Sequence, residues 1–169
     1  MTSTTLRAVT LLGATMTTGF AAGTFVLFAH TIMPGLRATD DRTFVAAFQQ
    51  IDRAIINPWF MITAFLGALV FTIGATVANR GTTALVWIIA ALVLYLVAFV
   101  ITIAVNVPLN DAIEAAGDPA HIDVTQVREQ FNESSWATWN LTRALLTTAA
   151  FGLLTWRVAI RWMTKRLIA

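Results

Sequence analysis

Four long apolar runs set the plan of the chain. From Ala8 to Met33 no residue carries a fixed charge, and His30 is the sole titratable side chain. That run exceeds the roughly 20 residues that carry a helix across a bilayer, and Pro34-Gly35 is expected to close it. Trp59 opens a second run, at the position where membrane-interface aromatics are enriched. Ala84 to Val107 forms a third, which Pro108 is expected to break, and Trp136 to Trp156 a fourth. The pattern predicts an all-α integral membrane four-helix bundle. It forms one domain over residues 1–169, with spans at about 8–33, 59–78, 84–107 and 136–156. Small residues at Ala21, Ala22 and Gly23 raise the competing reading of a cleaved signal peptide, but the apolar run continues well past them. Gly19 and Gly23 also make a small-xxx-small pair suited to close helix contact.

The segments between the runs have their own periodicity. Asp40 or Asp41 can cap a helix in which Phe44, Phe48, Ile51 and Ile55 share one face. Arg42, Gln49, Gln50, Asp52 and Arg53 take much of the rest. This is an amphipathic helix, on the membrane surface or against the bundle. A connecting role is favoured over that of a lid. Asn57-Pro58 ends it, and Asn79-Arg80-Gly81 reads as a tight connection. The stretch from Ala112 to Ser135 is the most polar. Gly117-Asp118-Pro119 is a turn there, and Asp123 with Gln126 resembles a capping box before a short helix over 124–131. Asn132-Glu133-Ser134 matches a glycosylation sequon, relevant only in a secretory eukaryotic host.

Charge then orients the bundle. Arg7, Arg80, Arg157, Arg161, Lys165 and Arg166 fall on the side of the chain ends, and every aspartate and glutamate falls on the other. The positive-inside rule places both termini in the cytoplasm, with the chain read as resident in a bacterial cytoplasmic membrane and the long loops outside. The basic tail is then an anchor at an anionic leaflet. With 57% apolar and 12% charged residues the chain's first partner is the lipid bilayer, and no basic stripe suggests nucleic acid. The absence of cysteine excludes disulfides and thiolate metal sites. His30 with Asp111 or Glu114 lacks metal-ligand spacing. No phosphate loop and no haem signature occurs, so neither a metal nor a cofactor is predicted.

Polar residues inside the apolar runs are the candidate chemistry, because they are costly in hydrocarbon and face a bundle interior or a wet cavity. Asn106 and Asn110 share a helix face if the helix survives Pro108. Asn140 and Arg143 share another. Antiparallel spans bring both pairs to one depth, near His30. Arg143, about 10 Å inside Trp136 at 1.5 Å per residue, calls for a partner, and Asp111 is the nearest candidate acid. That pair either ties the third span to the fourth or helps line a pocket for an anionic or carbonyl group.

Asn106-Val107-Pro108-Leu109-Asn110-Asp111 resembles the hallmark of the anthrone oxygenase-like family, a group of small four-span membrane proteins. Met33-Pro34-Gly35-Leu36 resembles its Met-Pro-Ala-Leu element. Phe48-Gln49-Gln50-Ile51-Asp52 followed by Asn57-Pro58 is similar to its Met-Gln-x-Ile-Asn and Asn-Pro elements, with Asp52 in place of asparagine. Trp136, Trp139, Asn140 and Arg143 resemble its Trp, Trp-Asn-x-x-Arg element. The resemblance implies oxidation of an anthrone, an apolar planar molecule, to an anthraquinone by O₂. In that scheme His30 is the candidate base and Asp111 the partner of Arg143. Arg143, Asn106, Asn110 and Asn140 are the oxyanion donors. Trp136 and Trp139 stack on the rings. The alternative is a non-enzymatic membrane module binding a lipid, a quinone or a partner subunit. A transporter component is a third reading, which at this length would require oligomerisation.

Overall fold

The protein is described by a computed structural model covering residues 3–168, without the side chains of 162 and 164–168. The tail residues Trp162, Lys165 and Arg166 therefore lie outside the described side chains. All regular structure among the described residues is helical: α1 (Ser3–Arg37), α2 (Asp41–Ile55), α3 (Pro58–Ala78), α4 (Leu85–Ala115), α5 (Val124–Phe131) and α6 (Glu133–Ile168). Three of these, α1, α3 and α4, are long and apolar enough to cross a membrane, which marks a membrane protein. The fourth long rod, α6, holds the expected span 136–156 but carries Glu133, Arg143 and Arg157.

The four rods close a ring in which α1 packs against α3 and α6, and α4 against α3 and α6. Local chemistry fixes their starts. Asp40, Asn57 and Asp123 each accept a hydrogen bond from the backbone N–H three residues on, supplying the orphan donors of α2, α3 and α5. Gly81 takes a positive φ of 74° in the turn between α3 and α4, as its side-chain-free backbone allows.

The expected breaks at Pro34 and Pro108 do not occur: α1 runs on to Arg37 and α4 to Ala115. Proline removes a donor and crowds the carbonyl four residues back, yet each of these follows a π turn. The turns span Phe28–Ile32 and Thr102–Asn106, closed by bonds from Met33 N–H to the Phe28 carbonyl and from Val107 N–H to that of Thr102. The wider turn lets the rod continue past the ring. A third π turn, Met61–Leu66, lies in α3. Gly67 follows it because a Cβ there would sit 2.6 Å from the Ile62 carbonyl oxygen.

The bundle has two different ends. At the end of the chain termini, Leu11, Ala14, Ala75, Ala91, Ala150 and Leu154 pack closely, with small side chains bringing the rods together. At the other end Phe28, Met33, Phe44, Phe48, Phe131 and Trp136 form an aromatic cluster. Outside it, Arg128 pairs with Asp41 and Glu133 at 3.0 Å each, Arg37 with Glu133, and Arg53 with Glu114 at 2.8 Å.

Candidate functional site

The amphipathic helix α2 is more than a connector. Phe44, Val45, Phe48, Gln49 and Asp52 are its buried residues, so its inner face is broader than the stripe 44, 48, 51 and 55 and includes two polar side chains. Gln49 donates to the carbonyls of Ile113 and Gly117 at 2.8 and 3.0 Å, seating α2 on the end of α4. Beneath α2 lies a cavity of about 180 Å³, bounded by α1, α3, α4 and α6 as well. All three π turns contribute to its wall, through Phe28, through Met61 and Phe65, and through Thr102. Such turns widen a helix locally and recur at functional sites.

Irregular turns carry backbone groups that need partners, and polar side chains bridge the rods at this level. Asn140 Nδ2 donates to the Phe25 carbonyl at 3.1 Å, and the Tyr95 hydroxyl to that of Phe65 at 2.7 Å. Asn106 Nδ2 donates to the Trp136 carbonyl at 3.3 Å, while its own Oδ1 has no partner. Buried Asn140 and Asn106 therefore hold the wall of the cavity together.

Two charged groups face this otherwise apolar space. Arg143 is 4% exposed. Its guanidinium donates to Asn140 Oδ1 at 2.9 Å and Thr102 Oγ1 at 3.1 Å, and stands 4.5 Å from the Phe25 ring centroid. Its Nε–H has no acceptor. The expected ion pair with Asp111 is absent: Asp111 is exposed, and neutral oxygens and an aromatic face take the place of the carboxylate. Asp52, from α2, is the second group. It accepts from Asn110 Nδ2 at 2.6 Å, and Asn110 Oδ1 in turn accepts from Trp136 Nε1 at 2.7 Å. Burial, reinforced by the charge of Glu114, raises its carboxyl from 3.8 to about 6. The Asn110 hydrogen bond pulls the other way.

Of the residues expected from sequence, Arg143, Asn110, Asn140 and Trp136 line the cavity together. Asn106 is buried behind it. His30 is exposed with its Nδ1 2.6 Å from the Thr31 hydroxyl, and neither it nor Asp111 reaches the lining. Trp139 is 40% exposed and points away. Asp52, Thr102 and Phe25 are lining residues that the sequence reading passed over. For Asp52 a signal existed. It lies four residues after Phe48, roughly 40° round the helix, so it sits on the apolar face, where a solvated acid has no reason to be.

Against known proteins, the sequence model of the anthrone oxygenase family matches residues 44–153. No curated protein and no solved structure matches the chain. The matched stretch runs from the buried face of α2 through Arg143 and contains both charged groups of the cavity, whereas His30 lies before it. With well over half of its 169 residues in that match, the chain belongs to the anthrone oxygenase family.

Proposed function

We propose that the cavity binds a planar, apolar aromatic carbonyl compound of the anthrone type and promotes its oxidation by O₂ without a cofactor. The observation that carries this reading is the pairing of opposite roles in one apolar chamber. A carboxylate, Asp52, and a guanidinium, Arg143, both face the space, and neither neutralises the other through an ion pair. In an anthrone the acidic CH₂ and the carbonyl lie on opposite edges of the central ring, which calls for a base on one wall and a donor on another.

In this scheme Asp52 takes the proton from carbon, and the electron pair moves to the carbonyl oxygen. The buried, unpartnered Nε–H of Arg143 is available to that oxyanion. The electron-rich enolate combines with O₂ and a proton to give a hydroperoxide on the former CH₂ carbon. Loss of water, with the remaining C–H proton leaving, yields the second carbonyl. One oxygen atom ends in the quinone and the other in water. Asp52 replaces His30 as the base because it lines the cavity and titrates near about 6, so it is mostly ionised at neutral pH yet basic enough to accept a proton.

An apolar cavity of roughly 150 Å³ admits benzene, so this one, at about 180 Å³, takes one ring of a fused aromatic ligand, and the remainder would extend past Ile56, 65% exposed at its edge. Five helices contribute to the lining, and the pocket is partly open at its rim. The test is O₂ uptake by the purified protein with an anthrone, corrected for autoxidation. A saturable rate above background is expected. Saturable quenching of tryptophan fluorescence without turnover would favour the binding-module alternative.

A further inference from the structure

A second cavity, of about 400 Å³, lies at the opposite end of the bundle, where α1, α6 and the turn between α3 and α4 meet. Its chemistry is the reverse of the first. Arg7, Arg157 and Arg161 line it together with Thr4, Thr82 and Thr83. No acid can answer them from the lining segments, because the sequence has no aspartate or glutamate before Asp40, between Asp52 and Asp111, or after Glu133. Three guanidiniums gathered around one space repel one another, and an anion removes that repulsion.

The arginines are also held in place. Arg7 Nε donates to the Ala78 carbonyl at 2.9 Å, and Arg161 donates to that of Thr4 at 2.8 Å. Each bond spends one of the five N–H donors of a guanidinium and leaves the others to engage oxygen atoms. Arg157 Nε is buried with no acceptor. A buried charged donor left unsatisfied is costly unless a ligand completes it.

We propose that this cavity is a binding site for the phosphate of an anionic phospholipid. A lipid is the source because the site lies where the membrane-crossing helices α1, α3 and α4 end or begin. The large apolar side chains next to its arginines and turn, Leu6, Val86 and Trp156, are exposed. A head group in the cavity leaves its acyl chains along that apolar surface. Basic pockets between membrane helices select anionic head groups in this way. The arginines then do more than set orientation: they form a site with a stereochemically defined ligand.

The experiment is native mass spectrometry of the full chain released from detergent, titrated with phosphatidylglycerol, with phosphatidylcholine and with inorganic phosphate. One phosphatidylglycerol should be retained in preference to phosphatidylcholine. Arg157→Gln and Arg161→Gln should each weaken it about tenfold or more, as loss of a charge-assisted bond implies. Arg42→Gln, an exposed charge at the other end, should change nothing. If Arg157→Gln does not fold, Arg161→Gln carries the test, since its side chain lies at the surface. Equal retention of both lipids, or wild-type binding by both variants, would overturn the proposal. Inorganic phosphate binding as tightly as phosphatidylglycerol would overturn the lipid assignment.

Discussion

The two ends of the bundle solve the same packing problem in opposite ways. Around Ala14, Ala75, Ala91 and Ala150 the rods are regular α-helices and approach through small side chains, and the basic cavity opens only beyond this level, past Leu11 and Ala84. Around Phe25, Phe28, Phe65 and Thr102 three rods loosen into π turns at one level, and the space opened there is walled with aromatic rings. Loosening a helix frees backbone groups, and Asn140 and Tyr95 answer carbonyls in or beside two of the turns from facing rods, while Asn106 reaches from the Thr102–Asn106 turn to the Trp136 carbonyl. Much of the intramembrane polarity is thus needed simply to hold a cavity open. What remains after that accounting is Asp52 and Arg143, and these are the groups left to meet a ligand.

The sharpest way to break this division is to remove the base while keeping its shape. Asp52→Asn preserves an oxygen that can accept from Asn110. Turnover of an anthrone should fall by about 10²–10⁴-fold, the usual contribution of a positioned base, with ligand binding retained. Stability at pH 7 should equal or exceed that of wild type, because a carboxylate whose ionisation burial disfavours has been replaced by a neutral amide. Wild-type rates in a folded Asp52→Asn protein would remove Asp52 from the chemistry.

A pair of glycines in one rod contrasts the two ends directly. In α3, a Cβ at Gly67 would lie 2.6 Å from the Ile62 carbonyl, whereas at Gly74 it would meet the Thr10 methyl at an ordinary 3.6 Å. Gly67→Ala should cost about 1–3 kcal/mol through forced displacement of the π turn. Gly74→Ala should be neutral or stabilise by up to about 1 kcal/mol, since alanine favours the helix. Thermal unfolding of the two variants in one detergent gives the comparison, and equal midpoints would mean that the π turn yields without cost.

The carboxyl of Asp52 also gives the aromatic end a pH signature. Its folded pKa, about 6, exceeds the unfolded 3.8. The folded state therefore binds the proton more tightly, and the stability this contributes is present below pH 3.8 and lost as pH rises through about 6. The change is on the order of 1–3 kcal/mol at 1.36 kcal/mol per unit. Activity should run the other way, with kcat/KM rising through the same midpoint as the base ionises. Denaturation midpoints from pH 4 to 7.5 should lose this component in Asp52→Asn.

How much of this could be read from the chain follows the same division. Apolar runs, caps and turns are local signals, and they give the starts of α2 and α5 at Asp40 and Asp123 and the apolar character of α1, α3 and α4, but not where α1 and α4 end. The π turns are not local. At two of them the Phe25 and Phe65 carbonyls are met by Asn140 and Tyr95, distant in sequence, and Pro34 and Pro108 read as breaks although the rods continue past the turns. Arg143 suggested a carboxylate because charge is the simplest partner to infer from composition. Burial beside Asn140, Thr102 and Phe25 gives it neutral oxygens and a ring instead. Asp52 was legible in principle from its place on an apolar face, but grouping it with the neighbouring polar residues concealed that.

The smallest expected effect tests whether the aromatic wall also tunes the base. Trp136 is 3% exposed, with its ring 5.6 Å from that of Phe48 and 5.8 Å from that of Phe28. Its Nε1–H donates to Asn110 Oδ1 at 2.7 Å, and Asn110 then donates to Asp52. Trp136→Phe keeps an aromatic ring in the cluster and removes that donor. The direct cost should be about 1 kcal/mol, the net value of one hydrogen bond. The consequence for chemistry is more specific. An Asn110 amide held at one end only turns more freely, its bond to the ionised Asp52 weakens, and the carboxyl pKa moves further up. The midpoint of kcat/KM against pH should therefore shift to higher pH, with a smaller change in its plateau. Stability measurements on Trp136→Phe, Asp52→Asn and the double variant should show non-additivity, since the residues share one network. An unmoved pH midpoint together with simple additivity would mean that Trp136 serves the cavity by packing alone.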